Sequence, residues 1–149
     1  MDIMIEGVGL APLKIINGHM GSVLHGIKAN DTGFMGFGEA YFSTVNKEAV
    51  KGWKCHTKMW LNIIVPVGSI RFVIYDDRIE SSTMGSLFDI TLGLSVNYKR
   101  LTIPPGLWMA FQGKDDLNLL MNFASIPHDP EEAKQLPLDN NYIPAISWT

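Results

Sequence analysis

One short stretch, residues 51–60, concentrates the side chains of this sequence that can move protons and hold anions. It reads KGWKCHTKMW and places His56 among Lys51, Lys54 and Lys58. Positive neighbours disfavour a further positive charge on an imidazole, so we expect His56 to be a neutral base. Such a base can take a proton from a carbon next to a carbonyl, because nearby cations stabilise the enolate that forms.

The spacing within this stretch predicts which side chains share a face if the backbone is extended. Successive side chains of a strand point to opposite faces, so Lys54, His56 and Lys58 point one way. Trp53 and Cys55 point the other way. Two arrangements remain open: the cationic face lines a wet cavity inside a barrel, or it faces solvent while Trp53 and Cys55 are buried.

Composition limits the class of protein. With 149 residues, 46% hydrophobic and 18% charged, the chain is expected to form one globular domain spanning residues 1–149. A net charge of −3 argues against a nucleic-acid partner. The absence of an apolar run near ~18 residues argues against a membrane span, and the single Cys55 is typical of a reducing compartment, here the cytoplasm.

Most of the chain alternates between short strand-like runs and turn residues. We predict strands at 13–17, 22–28, 36–43, 50–56, 61–67, 70–75, 88–92, 100–103, 108–111 and 118–124. Many short strands at this spacing predict an all-β sandwich or barrel. The segment DPEEAKQ, residues 129–135, predicts one short helix, with Asp129 as N-cap and Pro130 at its first position.

Several motifs in this order resemble the dTDP-4-dehydrorhamnose 3,5-epimerases and their sugar-epimerase relatives. They are VKGWKCH, IIVPVGSIRFVIYDDRIESSTMG, LTIPPGLWMAFQG and a segment ending before HDPEE, and the resemblance covers roughly residues 33–132. It implies a cupin-type jelly-roll barrel and a homodimer. It also implies a nucleotide-diphosphate sugar as ligand, with neither a metal nor an organic cofactor.

The resemblance also suggests which residues do the chemistry. Lys51 and the glycine after it match the opening of the epimerases' Arg-Gly-aliphatic-His motif, which places Lys54 at the position of the base. The related sugar 3,4-ketoisomerases carry a Gly-Phe-His-x-His run, which places His56 on the second histidine. We therefore predict His56 as the base and Lys54 as the reserve base. The family's catalytic tyrosine would fall near Asn122.

The acid on the opposite face of the sugar has three candidates, which are Tyr41, Tyr75 and His128. His128 is close in sequence to a second, sugar-stacking tyrosine of the family, and we include it among the catalytic residues. The alternative for His128 is a surface turn. Asp76 is predicted to orient His56, the alternative being a turn in which it pairs with Arg78.

Seven further residues are predicted to bind substrate. Tyr41 and its neighbour Glu39 belong to the stretch GEAYFS, which resembles the family strand that helps to bind the nucleotide sugar. Arg71 could reach the phosphates or lie on a solvated face, and Trp108 could stack on the ligand or belong to the core. The full set is Lys51, Lys58, Glu39, Tyr41, Arg71, Asn122 and Trp108. A cupin metal site needs His-x-His and further ligands, of which only His56 is available, so we predict no metal.

Three functions are compatible with these residues. The first is an epimerase that removes and returns protons at C3, C5 or both of a nucleotide-linked 4-keto-6-deoxyhexose. The second is a 3,4-ketoisomerase acting on the same substrates. The third is a cupin that binds a nucleotide sugar without turning it over.

Overall fold

The computed structural model describes residues 4–149, in which twelve β-strands account for the regular secondary structure. Their bounds are β1 Gly9–Pro12, β2 Ile15–Ile16, β3 Val23–Leu24, β4 Glu39–Thr44, β5 Val50–His56, β6 Leu61–Val67, β7 Ser69–Asp76, β8 Leu87–Gly93, β9 Lys99–Ile103, β10 Leu107–Gly113, β11 Leu119–Ala124 and β12 Ala133–Gln135. All ladders between these strands are antiparallel. The predicted all-β class is confirmed.

Two five-stranded sheets face each other. The first sheet has the strand order β1-β9-β6-β11-β4, the second has the order β12-β5-β10-β7-β8, and β2 and β3 form a separate hairpin. Sequence neighbours such as β5 and β6 lie in different sheets, so the chain crosses repeatedly between them. This arrangement is a jelly roll.

The predicted helix at residues 129–135 is wrong. Asp129 Oδ1 accepts a hydrogen bond from the Glu131 amide, but this cap begins only a single turn. The chain then extends as β12, which pairs with β5 through registers such as Ala133 opposite His56. Local preferences favoured a helix, whereas the open edge of β5 offers a ladder of backbone hydrogen bonds that a helix could not supply.

The space between the sheets is filled from both sides by inward-facing apolar side chains. Phe72 and Ile74 of β7, with Ile63 and Val65 of β6, are among its most buried members. Alternation along the strands explains this packing, because residues two apart share a face. Strand β7 is buried along most of its length, and a cavity remains where β5 and β11 face each other.

A second apolar cluster covers the outer face of the second sheet. Trp53 and Cys55 of β5 pack there beneath the C-terminal segment, residues 136–149, which contributes Ile143 and Trp148. Cys55 is 1% exposed, and burial raises the pKa of its thiol to about 11. The face of β5 opposite Lys54 and His56 is therefore covered by apolar side chains.

Across residues 4–149, no helix has the length and apolar character needed to cross a membrane.

Candidate active site

A cavity of about 300 Å³ opens between the two sheets. Polar side chains line part of this cavity, and five apolar side chains from three strands line much of the rest: Leu61, Ile63, Met109, Phe111 and Leu120. The second sheet contributes β5, β10 and β12, and the first sheet contributes β4, β6 and β11. A ligand in this cavity would lie with one sheet on each side.

Strand β5 presents three predicted residues to the cavity, Lys51 at its edge and two others further along the strand. Lys54 and His56 line it, while Trp53 also reaches the outer cluster together with Cys55. Both arrangements considered for this stretch therefore hold in part, since the polar face lines a cavity and the other face is buried. Lys58 differs from the prediction: β5 ends at His56, so the alternation does not extend to Lys58, which is exposed.

His56 is paired with a carboxylate that the sequence analysis did not identify. Its Nδ1 lies 2.7 Å from Oε1 of Glu132, and both side chains are largely buried. Glu132 is separated from His56 by 76 residues. It is brought there by the turn before β12, where Thr57 N donates to the Glu132 carbonyl at 3.1 Å.

The other oxygen of Glu132 is fixed by the backbone. Its Oε2 accepts hydrogen bonds from the amides of Lys58 at 2.8 Å and Met59 at 3.0 Å. Burial raises the pKa of Glu132, but the bonds from His56 and these two amides outweigh that effect and lower it to about 2. Glu132 is thus an ionised carboxylate held in one orientation.

This pairing determines which nitrogen of His56 can act on a ligand. An ionised carboxylate can only accept hydrogen bonds, so the hydrogen of a neutral His56 ring sits on Nδ1. Nε2 then carries the free lone pair. The geometry is that of a general base oriented by a carboxylate.

Asp76 does not hold the position predicted for it. Its two oxygens accept hydrogen bonds from Arg78 Nε at 2.9 Å, Ser81 Oγ at 2.5 Å and Thr83 Oγ1 at 2.7 Å. Burial raises the pKa of Asp76, and this set of donors brings it well below its usual range. The alternative considered for this residue, a turn in which it pairs with Arg78, describes the structure, and Glu132 takes the role predicted for Asp76.

Arg71 lies on the outer face of the second sheet. Its guanidinium forms two hydrogen bonds with Asp89, at 2.7 and 3.0 Å, and donates to the Ser147 carbonyl at 2.7 Å. It also lies over the ring of Trp148, 5.0 Å from its centroid. This corrects the prediction that Arg71 binds substrate phosphates, because the residue anchors the C-terminal segment instead.

Trp108 also faces away from the cavity. It is 5% exposed within the outer cluster, and its Nε1 donates to Asp77 at 3.0 Å. Alternation along β10 sends its neighbour Met109 into the cavity. The prediction of ligand stacking by Trp108 is therefore corrected in favour of a core role.

The wall opposite β5 carries Tyr41 and Asn122. They are register partners on β4 and β11, and Asn122 Nδ2 donates to the Tyr41 hydroxyl at 3.1 Å. Asn122 is 3% exposed, and its Oδ1 has no hydrogen-bond partner. Glu39 shares the strand face of Tyr41 and is half-buried, but it lies outside the cavity lining.

Two further predicted residues lie at the edge of the site. Lys51 lines the cavity, and its Nζ donates to the Thr44 carbonyl at 2.6 Å, which bridges β5 and β4. His128 is exposed and shares with Lys54 and His56 a smaller adjoining cavity of about 200 Å³. Within residues 4–149, no three histidine, cysteine, aspartate or glutamate side chains lie close enough to hold a metal ion.

Comparisons with known proteins identify relatives of this fold and site. A crystal structure of a dTDP sugar isomerase from Desulfovibrio desulfuricans G20 is 41% identical, with a TM-score of 0.92, over 98% of this chain and 94% of the other. The chain belongs to the dTDP-4-dehydrorhamnose 3,5-epimerase-like family. No protein-family model matches it.

One further relative agrees with this assignment, and another solved structure shares the fold. A protein of Haloferax volcanii named probable low-salt glycan biosynthesis epimerase Agl13 is 30% identical over 104 residues, which are 67% of this chain and 66% of that protein. The structure of ChmJ, a 3'-monoepimerase from Streptomyces bikiniensis in complex with dTDP-quinovose, shares the fold. Its TM-score is 0.82 at 18% identity, over 98% of this chain and 81% of the other. The predicted family, the jelly-roll fold and the isomerase class of enzyme are confirmed.

Proposed function

We propose that this family member is an epimerase of a nucleotide-diphosphate-linked 4-keto-6-deoxyhexose, inverting C3, C5 or both. The observation that carries the proposal is the buried His56–Glu132 pair, with Nε2 of His56 left available in a cavity between the sheets. A C–H bond next to a ketone is acidic enough for an oriented imidazole to break, provided that the enolate is stabilised.

The cavity supplies the other requirements of this reaction. His56 Nε2 is proposed to take the proton, and the ammonium group of Lys54, which lines the same cavity, is proposed to stabilise the enolate oxygen. In this assignment Lys54 is the electrophile, and His56 is the base. Lys51 is proposed to contact the diphosphate, since it lines the cavity and is exposed.

The size and lining of the cavity fit the sugar part of such a ligand. Its volume of about 300 Å³ is at the lower end of ligand pockets. It suits one sugar ring, with the nucleotide lying outside. The apolar side chains of Ile63, Phe111 and Leu120 suit the methyl group of a 6-deoxy sugar. The names of the relatives, a dTDP sugar isomerase and a glycan biosynthesis epimerase, support a sugar nucleotide as the substrate.

The experiment is solvent deuterium incorporation, followed by NMR, with dTDP-, UDP-, GDP- and CDP-linked 4-keto-6-deoxy sugars. We expect deuterium at C3 or C5 of one of them, together with inversion there. His56→Ala should lose this activity by about 10²–10⁴-fold. His19→Ala is the matched control, because His19 is exposed and lies in the turn between β2 and β3. Absence of exchange with all four substrates would refute the proposal.

A 3,4-ketoisomerase is the second candidate. It is favoured by the positions of Lys54 and His56, two residues apart and both lining the cavity, and by the resemblance, which puts the family tyrosine near Asn122. The same NMR experiment separates the two reactions, because isomerisation moves the carbonyl carbon and epimerisation leaves it in place. Tight binding without exchange, unaffected by His56→Ala, would indicate a binding protein instead.

We further propose a cytoplasmic homodimer that uses no cofactor, with one domain spanning residues 1–149. Strand β4 supports dimerisation, because it is an edge strand with Tyr41 and Phe42 exposed. The solution mass measured by light scattering tests this assembly, and a monomer at micromolar concentration would contradict it. The reduced thiol of Cys55 is compatible with the cytoplasm.

A further inference from the structure

The reaction proposed above needs a second proton carrier, on the side of the sugar opposite to His56. His56 belongs to the second sheet, and the cavity wall formed by the first sheet carries Tyr41, Ser43 and Asn122 as its polar residues. Of these three, Tyr41 alone has a hydroxyl acidic enough to serve as a general acid.

The Tyr41 hydroxyl is arranged as a donor towards the cavity. Its oxygen accepts the hydrogen bond from Asn122 Nδ2 at 3.1 Å, so its own hydrogen is free for another acceptor. Tyr41 as a whole is 42% exposed, and its hydroxyl contacts Asn122, which is 3% exposed. The hydroxyl of Tyr41 is thus held by a buried amide in the wall of the cavity.

Asn122 adds an independent sign that a ligand belongs here. Its Oδ1 is buried without a hydrogen-bond partner in a wall of the cavity. A buried carbonyl oxygen without a donor costs about 1–3 kcal/mol. A small rotation of the Asn122 side chain would let a sugar hydroxyl held between Tyr41 and His56 supply that donor.

We infer that Tyr41 is the catalytic acid that returns the proton from the opposite face of the sugar, and that Asn122 positions its hydroxyl. This inference rests on the proposed function and deepens it. The acid is carried by β4, and its register partner on β11 holds the amide that orients it.

The proton balance of the reaction is complete with these residues. His56 Nε2 forms a bond to the proton while the C–H bond breaks, and the electron pair moves into the enolate. The enolate carbon then takes the proton of the Tyr41 hydroxyl on the other face, which re-forms the ketone and leaves a phenolate. The Asn122 amide stabilises that phenolate through a charge-assisted hydrogen bond. Solvent water reprotonates Tyr41 and accepts the proton of His56.

Separate measurement of exchange and inversion in D₂O tests this assignment. In Tyr41→Phe, His56 can still remove a proton and return deuterium to the same face. We therefore expect deuterated substrate of unchanged configuration, while inversion falls by about 10²–10⁴-fold. Tyr142→Phe is the matched control, because it removes an exposed hydroxyl that bonds to Asp77 outside the cavity. It should leave both rates unchanged.

The outcomes separate this inference from the proposed function. If the wild-type protein exchanges no proton with any substrate, the proposed function fails. If the wild-type protein inverts the sugar and Tyr41→Phe does so within about twofold of the same rate, the inference fails and the function stands. Loss of exchange and inversion together in a folded Tyr41→Phe would also overturn the inference.

Asn122→Ala tests the positioning role. It should raise the ratio of exchange to inversion in the same direction as Tyr41→Phe, by a smaller factor. In the double variant, the loss of Asn122 should add little to the loss of Tyr41, because both act on one proton transfer. Fully additive effects would show that Asn122 acts independently of Tyr41.

Discussion

His56 Nδ1 and Glu132 Oε1 lie 2.7 Å apart, although 76 residues separate them in the chain. The strand that carries His56 and the turn that carries Glu132 are joined by the ladder between β5 and β12. The base and its orienting carboxylate therefore belong to one rigid edge of the second sheet.

Replacing Glu132 by glutamine should disable this pair. Glu132 accepts three hydrogen bonds, one from His56 and two from the amides of Lys58 and Met59. A glutamine has a single acceptor oxygen, so it cannot satisfy donors on both sides. We expect turnover to fall by about 10²–10⁴-fold. Glu131→Gln, at an exposed neighbouring position, is the control and should retain activity.

The two lysines flanking His56 should behave differently. Lys54 lines the cavity, whereas Lys58 lies beyond the end of β5 and is exposed. Lys54→Gln should lower kcat by about 10²–10³-fold, which is the usual loss when one donor to a developing oxyanion is removed. Lys58→Gln should change kcat less than about twofold. Equal effects of the two substitutions in steady-state kinetics would contradict the placement of Lys54.

Acid should destabilise the fold through Glu132. Its pKa is lowered from 4.5 in the unfolded chain to about 2 in the folded one, so its contribution to stability is present above about pH 4.5. That contribution, on the order of 3 kcal/mol, is lost as the pH falls from about 4.5 to about 2. Urea unfolding across this range should show a smaller acid-induced loss for Glu132→Gln than for Glu131→Gln. Equal losses of unfolding free energy in the two variants would refute the assignment of this stabilisation to Glu132.

Asp76→Ala should lower the free energy of unfolding and leave kcat almost unchanged. Asp76 is fully buried, and its removal leaves Arg78, Ser81 and Thr83 without their shared acceptor. We expect a loss of about 2–4 kcal/mol in the free energy of unfolding. The kcat of the folded fraction should stay within about twofold of wild type, because Asp76 bonds to this turn and Glu132 orients His56. A loss of kcat with unchanged stability would restore the role first predicted for Asp76.

Strand boundaries could be predicted where the local sequence pattern matches the burial of the strand in the fold. Residues 50–56 and 61–67 were predicted with the bounds that β5 and β6 have, because one alternates in polarity and the other is an apolar run. Strand β1, Gly9–Pro12, was missed, since glycine and proline weaken its pattern. It lies at the edge of the first sheet, where a proline is tolerated.

Only the part of the candidate site that lies within one strand could be predicted from the sequence. His56 and Lys54 could be found from spacing within one strand. Glu132 could not, because the contact depends on β12 pairing with the edge of β5, and the local sequence there favours a helix. The proximity of Tyr41 and Asn122 likewise depends on the register between β4 and β11, which no local pattern specifies.

The buried Cys55 has a practical consequence for studying this enzyme. Its thiol stays protonated at neutral pH and is shielded by the outer cluster, so maleimides and iodoacetamide should leave it unmodified. A cysteine introduced at the exposed Asp116 would then be the single reactive thiol of the chain. Fluorophores or spin labels could be attached there without altering the native cysteine behind His56.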